Sequence, residues 1–391
     1  MQPNRPAAPP PPAAQAPLPT SPLDMHPNRP AAPPPPAAQA PLPTSPRDMP
    51  QNRTASPQPP QGARAPQGNR PASAPPPPPT QPRSANDFIR RNDQGPNRGF
   101  DEIRRDRREV RDGNRTIITE GDRTIVRDGD RTIIRHNEAD RFAIDARDVR
   151  VTRRGNDMIS IIVRPDGSQI VSTTDPSGRL LRRVRRDRNG REVIIIDNRF
   201  AGPPRNGYFI DVPPPPRYAG PADRYILDSD RADRDAIFSL FMAPPISRLD
   251  RRYTLDDIRY SQPLRSYMPR VDLDVNFESG SWQLTPEQVD KLAAIADGIN
   301  RAVSRNPREV FLIEGHTDAV GSDDDNLSLS DRRAEAVAVA LTERFQVPPE
   351  NLVTQGYGEQ DLRVPTDGPS RENRRVAVRR ITPLIDRNAA R

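Results

Sequence analysis

Proline is the residue that most restricts what this chain can fold into, and it is concentrated at one end. Of 51 prolines in 391 residues, 30 lie within residues 1–82, a stretch without any Val, Ile, Phe, Tyr or Trp. Proline disrupts helices and central strands, and a stretch with so few apolar side chains cannot offset the entropy of ordering. We therefore predict a long disordered tail over residues 1–82, extended in its proline runs.

The tail is also a sequence repeat. Met1–Asp24 recurs as Met25–Asp48 with two changes, and Met49 opens a decayed third copy. A spacer is the simplest interpretation, and docking to proline-recognising domains is the alternative. Because Met1 occupies a repeat position, we expect the natural chain to begin upstream with a secretory signal segment.

Residues 113–200 carry the signals of a small all-β module. An eight-residue unit starts at Gly113, Gly121 and Gly129, and each copy places a Gly-Asp or Gly-Asn turn before a strand of the Thr-Ile-Ile type. Further turn signals between apolar runs follow up to Asn189-Gly190. These features predict an antiparallel meander. The Arg/Asp-rich residues 83–112 before it are predicted to be a connector.

Two segments separate this module from the C-terminal part. Residues 201–228 are rich in proline and are predicted to be a linker. Residues 229–270 are predicted to be a short helical segment, in which Ser229 caps one helix and Thr254 with Asp257 caps another. We expect these helices to pack beside the C-terminal domain.

Composition excludes several kinds of site. There are no cysteines, so disulfides and thiolate metal sites are ruled out, and no apolar run reaches the ~20 residues of a membrane-spanning helix. Asp323-Asp324-Asp325 does not fit the spacing of a calcium-binding loop and is predicted to be a solvated acidic turn, so no cofactor or metal is expected. Most arginines alternate with aspartate, which predicts a solvated charged face and no nucleic-acid partner.

Residues 271–385 alternate strand and helix signals. Thr285-Pro286-Glu287-Gln288 is a strong helix start, and a second helical stripe from Leu329 is predicted to be capped by Ser328 or Ser330. The order strand, helix, strand, helix, strand, strand predicts an α+β domain with two helices on one sheet. The strands are predicted at Val271 to Phe277, Val310 to Ile313, Leu352 to Gly356 and Arg374 to Ile381.

The loop after the second of these strands brings together opposite charges. It contains Asp318, and the helix that follows carries Arg333. One carboxylate facing one guanidinium suits a zwitterionic ligand. From residue type alone, Asp318 is more often a turn or cap residue, and Arg333 has acidic neighbours such as Asp331 with which it could pair.

The residues around this loop and after it form seven short blocks, which are Gly315-His316-Thr317-Asp318, Gly321-Ser322, Asn326, Leu329-Ser330, Arg333-Ala334, Gly356-Tyr357-Gly358-Glu359 and Asn373-Arg374-Arg375-Val376. These blocks resemble the OmpA-like peptidoglycan-binding domain of OmpA, peptidoglycan-associated lipoproteins and flagellar stator proteins. The resemblance implies a βαβαββ fold in which Asp318 and Arg333 bind the diaminopimelate residue of the cell-wall peptide stem. It also implies supporting roles for Gly315, Thr317, Asn326, Leu329 and Arg374, with Arg375 as the alternative to Arg374.

The function that this resemblance implies is a non-catalytic tether that binds peptidoglycan in the periplasm or at the outer membrane, with an outer-membrane or envelope protein as a possible partner. One alternative is a polyanion-binding adaptor that acts through Arg182 to Arg188, which has five arginines in seven residues. A second alternative is an envelope hydrolase, but no nucleophile with partners is visible, and we interpret His316 as structural.

Overall fold

A computed structural model describes residues 99–113, 115–129, 131–201, 214–221, 224–249, 251–278 and 280–386 of the protein. The predicted disordered tail, residues 1–82, and much of the predicted connector lie outside these ranges. No helix in the described part of the chain has the length and apolar character needed to cross a membrane.

The three eight-residue units and the strand before them form a four-stranded antiparallel meander, which we call the repeat sheet. It consists of β1 (Arg108–Asp112), β2 (Arg115–Glu120), β3 (Arg123–Asp128) and β4 (Arg131–His136), and helix α1 (Phe100–Arg105) precedes it. The turn glycines Gly113, Gly121 and Gly129 have φ of 61°, 60° and 61°, a conformation that glycine adopts without steric cost. Each unit thus supplies one two-residue turn and one six-residue strand.

A second antiparallel sheet follows, which we call the middle sheet. A short helix, α2 (Ala139–Phe142), connects the two sheets. The all-β prediction is confirmed, but two sheets form instead of one. The first strand also begins at Arg108, inside the predicted connector, because Val110 pairs with Ile117 of β2. The middle sheet comprises β5 (Asp148–Arg154), β6 (Asp157–Val163), β7 (Gln169–Thr174), β8 (Leu180–Arg186) and β9 (Glu192–Asp197).

The C-terminal sheet has the predicted succession of strands and helices, with one strand added. Its order is β10-β11-β14-β12-β13. Strand β10 lies inside the predicted linker and pairs in parallel with β11, with Ile226 opposite Arg270. The elements are β10 (Ile226–Asp228), α3 (Arg234–Met242), α4 (Leu255–Tyr260), α5 (Gln262–Arg265), β11 (Arg270–Leu273), α6 (Pro286–Asp290), α7 (Ala293–Arg305), β12 (Phe311–Gly315), α8 (Asp323–Phe345), β13 (Leu352–Gly356), β14 (Val376–Arg380) and α9 (Thr382–Ile385).

This sheet is buried on both faces. Phe311 and Ile313 of β12 pack into a core with α3, α7 and α8, whereas Val310 and Leu312 face α4, α5, α9 and strand β9 of the middle sheet. Side chains of a strand alternate between faces, so both faces of β12 require apolar residues. The helical segment predicted over residues 229–270 therefore supplies helices to both sides of the sheet.

Two helix starts differ from the sequence prediction. Helix α8 begins at Asp323 with Ser322 as its N-cap, so Ser328 and Ser330 lie within the helix. The three predicted loop aspartates instead form its first turn, where carboxylates interact favourably with the helix dipole. Helix α3 is capped by Asp233, whereas the hydroxyl of Ser229 accepts a hydrogen bond from the backbone N–H of Asp274.

Both predicted capping boxes are confirmed. Thr254 caps α4 together with Asp257, and Thr285 caps α6 together with Gln288. The helical stripe that follows Thr285 is divided between α6 and α7 by a break after Asp290.

The prediction of a solvated charged face is wrong for the face of the repeat sheet that packs on α8. Arg123 of β3 is buried and donates from Nε to Asp331 Oδ2 of α8 at 2.9 Å. His136 of β4 lies 2.9 Å from the same oxygen through Nδ1, and the buried Arg141 pairs with Glu335. These ion pairs, together with Ile118, Ile125 and Ile134 packed on Leu327, attach the repeat sheet to α8.

Candidate functional site

Two glycines allow α8 to lie directly on the ends of β12 and β13. A Cβ atom on Gly315 would lie 1.9 Å from the carbonyl O of Ser330, and one on Gly356 would lie 2.4 Å from the backbone N of Asp331. Neither separation is sterically possible, so both positions require glycine. This close contact positions Arg333 of α8 beside the loop that follows β12.

Asp318 lies in that loop and is 7% exposed. Its Oδ2 accepts hydrogen bonds from Arg374 Nη1 at 2.5 Å and from the backbone N–H of Ser370 at 3.3 Å. Neither bond uses Oδ1. Of the two arginines that the sequence left open, Arg374 is the one that contacts Asp318, while Arg375 donates to the carbonyl of Asp361.

Arg333 lies about three turns into α8 and is 1% exposed. Its Nε donates to the carbonyl O of Ser281 at 2.9 Å and its Nη2 to that of Glu278 at 3.2 Å. The buried Nη1 has no hydrogen-bond partner among the described residues. Burial and the nearby Arg374 lower the pKa of Arg333 to about 10, while Asp318 acts in the opposite direction. The three charged groups thus share one electrostatic environment.

The segment that holds Arg333 is anchored by an aromatic cluster that the sequence analysis did not identify. The ring of Trp282 lies 6.5 Å from that of Phe100 of α1, in an edge-to-face arrangement. Leu329 of α8 and Ile103 of α1 complete the cluster. Because Trp282 follows Ser281 directly, α1 stabilises the loop whose carbonyls bind Arg333. The sequence did contain one signal of this cluster, because Trp282 is the only tryptophan of the chain.

The other residues that the sequence analysis assigned to this region form contacts within and between the loops around Asp318. The backbone N–H of Thr317 donates to the carbonyl O of Gly358 at 2.8 Å, and Asn326 Nδ2 donates to Glu359 Oε2 at 2.9 Å. His316 stacks on Tyr357 with 5.5 Å between the rings, and burial together with Arg375 lowers its pKa to about 3. A neutral, stacked imidazole agrees with a structural role.

The arginine cluster proposed as a polyanion site is largely paired within the protein. Arg182 and Arg186 each contact Glu192, and Arg185 lies 3.5 Å from Glu350. Arg183 is buried against Glu138. These acidic partners reduce the positive potential that a polyanion requires.

The arrangement defines a class of binding domain, in which helices pack on a mixed sheet and opposed charges lie in the loop after a central strand and on the following helix. Residues 276–375 match the family model described as the OmpA family. This part of the chain is an OmpA-family domain, and the resemblance seen in the sequence is confirmed.

Similar proteins cover only part of the chain. It is 31% identical over 127 residues to outer membrane porin F of Pseudomonas aeruginosa, an alignment that covers 32% of this chain and 34% of the porin. It is 35% identical over 109 residues to the putative lipoprotein YfiB of Escherichia coli, covering 27% and 66%. The peptidoglycan-associated lipoprotein of Burkholderia pseudomallei aligns at 25% identity with a TM-score of 0.23, covering 27% and 87%. The chain thus spans about a third of the porin's length.

Proposed function

We propose that residues 271–385 bind peptidoglycan without catalysis, by holding the diaminopimelate residue of the stem peptide between Asp318 and Arg333. Domains of the OmpA family generally bind peptidoglycan. The observation that carries the proposal is the buried guanidinium of Arg333, because its Nη1 has no hydrogen-bond partner in the described part of the chain. A buried donor without a partner is costly, and a ligand carboxylate would remove that cost.

The two charges would recognise the two ends of one zwitterionic group. The side chain of diaminopimelate carries an ammonium and a carboxylate on the same carbon, so Asp318 takes the ammonium and Arg333 takes the carboxylate. The ammonium approaches Oδ1 of Asp318, since Arg374 and Ser370 both donate to Oδ2. A lysine stem has no such carboxylate and would leave Nη1 of Arg333 without a partner.

Binding at this site would tether the remainder of the chain to the cell wall. We place the protein in the periplasm or at the outer membrane, in support of which two relatives are named an outer membrane porin and a lipoprotein. An outer-membrane or envelope protein is the proposed partner for the region outside residues 271–385, and residues 1–82 are the proposed spacer. Neither role requires catalysis.

The proposal is tested by co-sedimentation of the full chain with purified diaminopimelate-type sacculi. We expect Asp318→Ala and Arg333→Ala each to weaken binding by roughly 10- to 150-fold, the value of about 1.5–3 kcal/mol for one charge-assisted contact. We also expect wild-type protein to prefer diaminopimelate-type over lysine-type sacculi, and Arg333→Ala to lose that preference.

Arg344→Ala is the matched control, because Arg344 is an exposed arginine near the end of the same helix. Its binding should equal that of the wild type. Circular dichroism should show that all three variants keep the fold. Unchanged binding by both site variants would disprove the assigned roles of Asp318 and Arg333.

A further inference from the structure

In the part of the chain that the structure describes, the repeat sheet leaves one strand edge open. At one end of the sheet, β4 lies beside β13, whose Gln355 donates from Nε2 to the carbonyl O of Ile134 at 3.2 Å. At the other end, β1 pairs only with β2 among the described residues. All five residues of β1 are exposed, and Val110 at its centre is 60% exposed. An open edge presents backbone N–H and C=O groups that can pair with another strand.

The sequence of this edge is complementary to itself. Read from Arg108 to Asp112, the strand is Arg-Glu-Val-Arg-Asp, with the charge pattern plus, minus, neutral, plus, minus. We propose that β1 pairs with β1 of a second copy of this chain, antiparallel and centred on Val110. Arg108 then faces Asp112 of the other copy, Glu109 faces Arg111, and Val110 faces itself. Two four-stranded sheets become one eight-stranded sheet.

The charges also exclude the neighbouring registers. A shift by one residue in either direction places Arg108 opposite Arg111, or Glu109 opposite Asp112. A shift by two residues would bring Glu109 opposite Glu109 of the other copy, or Arg111 opposite Arg111. Like charges directly opposite each other are destabilising in a sheet, and opposite charges are stabilising. Parallel pairing in register would bring every charged residue beside its own copy. Among the antiparallel registers that pair three or more residues of each strand, the centred one alone has no repulsive pair.

The apolar surface of the repeat sheet continues into the same edge. Val110, Ile117, Val126 and Ile133 are cross-strand neighbours on the face opposite the one that packs on Leu327. Ile133 is buried, Ile117 and Val126 are half-buried, and Val110 is the most exposed of the four. Pairing through β1 brings the Val110 side chains of the two copies together, so that the apolar row of one copy continues into that of the other. This would reduce the exposure of Val110.

Charged residues on an edge strand usually prevent pairing, and this is the competing explanation. That protection depends on repulsion, which the centred register lacks. The paired surface has five residues from each copy, far fewer than in a standard interface, so we expect a weak dimer that forms readily at high local concentration. The inference does not depend on the ligand of the Asp318 site.

Cysteine cross-linking tests the contact, because the chain contains no cysteine of its own. In the full chain, Val110→Cys should form an intermolecular disulfide under mild oxidation at least about tenfold faster than Val364→Cys, since directly opposite Cβ atoms lie close together in a paired sheet. Val364 is the control because it is also an exposed valine, at 39%, and lies outside the repeat sheet. Equal rates for the two variants would overturn the proposal.

Charge exchange tests the register. In the Val110→Cys background, the Glu109→Arg substitution creates two pairs of facing arginines, because residue 109 of each copy faces Arg111 of the other. It should slow cross-linking about tenfold or more. Arg111→Glu should do the same through paired glutamates. The double variant Glu109→Arg with Arg111→Glu restores opposite charges and should restore the rate. Single exchanges without effect, or a double variant as slow as the singles, would overturn this pairing. Both residues are exposed, so thermal unfolding should match the parent.

Discussion

Helix α8 buries charged groups on two faces, and the two faces stabilise them differently. Toward the repeat sheet, Arg123 donates to Asp331 at 2.9 Å and to Asp122 at 2.8 Å. Toward the loop of residues 278–282, Arg333 donates only to backbone carbonyls, and its Nη1 has no partner in the described part of the chain. Both guanidinium groups are almost completely removed from water.

The pKa values of the two arginines show the consequence. Burial lowers the pKa of Arg123, but Asp122 and Asp331 outweigh it and raise the value. Burial lowers the pKa of Arg333 to about 10, and Asp318 does not restore it. A buried charge whose neighbours replace its lost hydration stabilises the architecture, whereas one that is only partly compensated is suited to a charged ligand. This comparison can be tested on each face separately.

The largest effect is expected at Asp331, on the face toward the repeat sheet. Its carboxylate contacts Arg123 Nε, His136 Nδ1 and the backbone N–H of Gly356, at 2.9, 2.9 and 3.1 Å. Asp331→Ala leaves these buried donors unpaired, and we expect the free energy of unfolding to fall by about 3–5 kcal/mol. Urea denaturation of the full chain measures this value.

Asp235→Ala is the matched control for that experiment. Its side chain is 84% exposed and pairs with Arg301 at the surface, so its removal should cost about 0–1 kcal/mol. A similarly small loss for Asp331→Ala would show that the repeat sheet does not depend on its buried ion pairs.

An intermediate effect per pH unit is expected from the titration of His136 on the same face. Burial lowers the pKa of His136, but Asp331 and Glu335 outweigh it and raise the value from 6.5 to about 10. The folded state therefore holds this proton more tightly than the unfolded state. Its contribution to stability is complete below about pH 6.5 and is lost as the pH rises toward 10, with a slope of at most about 1.4 kcal/mol per pH unit.

Denaturation midpoints measured between pH 6 and 10 test this dependence. His136→Gln, which cannot carry the charge, should remove most of the alkaline slope while lowering stability at pH 6. The acidic partner Glu335 has the opposite pH dependence. Its pKa is lowered to about 2 in the folded protein, so its contribution to stability disappears as the pH falls below about 4.5. A wild-type slope that persists in His136→Gln would assign the titration to another group.

The smallest effect on stability is expected at Arg333. Replacing a poorly compensated buried charge with an apolar side chain of similar length is often neutral or stabilising, so Arg333→Met should change the free energy of unfolding by no more than about 1 kcal/mol. Binding to diaminopimelate-type sacculi should nevertheless fall as it does for Arg333→Ala. A loss of stability comparable to that of Asp331→Ala would mean that Arg333 is a structural group, and the contrast between the two faces would fail.

Local sequence signals predicted the features that depend on neighbouring residues. The eight-residue units, the turn glycines and the capping boxes at Thr254 and Thr285 all appear where the sequence places them, because each depends on interactions within a few positions. The helix caps at Ser229 and Ser328 or Ser330 were wrong for a related reason. Several serines and aspartates offered the same local chemistry, and long-range contacts such as the bond from Asp274 to Ser229 selected among them.

Strands β1 and β10 were hidden from the sequence, because each lies in a segment whose composition indicates a connector or a linker. Each strand is formed through pairing, β1 with the repeat unit that follows it and β10 with β11, more than 40 residues further along the chain. Backbone pairing is not encoded in the composition of a three- or five-residue stretch, so residues 226–228 gave no signal.

The motif blocks around Asp318 and Arg333 identify an OmpA-family domain from the sequence, because the residues of each block lie within a few positions of one another. Which of the buried charges are compensated became known only from the folded protein. Arg123 and Asp331 lie 208 positions apart, and Glu278 and Ser281 bind Arg333 through backbone carbonyls that no side-chain pattern records. The free-energy cost of burying a charge depends on which groups take the place of its hydrating water. Those groups are distant in sequence and come together only when the chain folds.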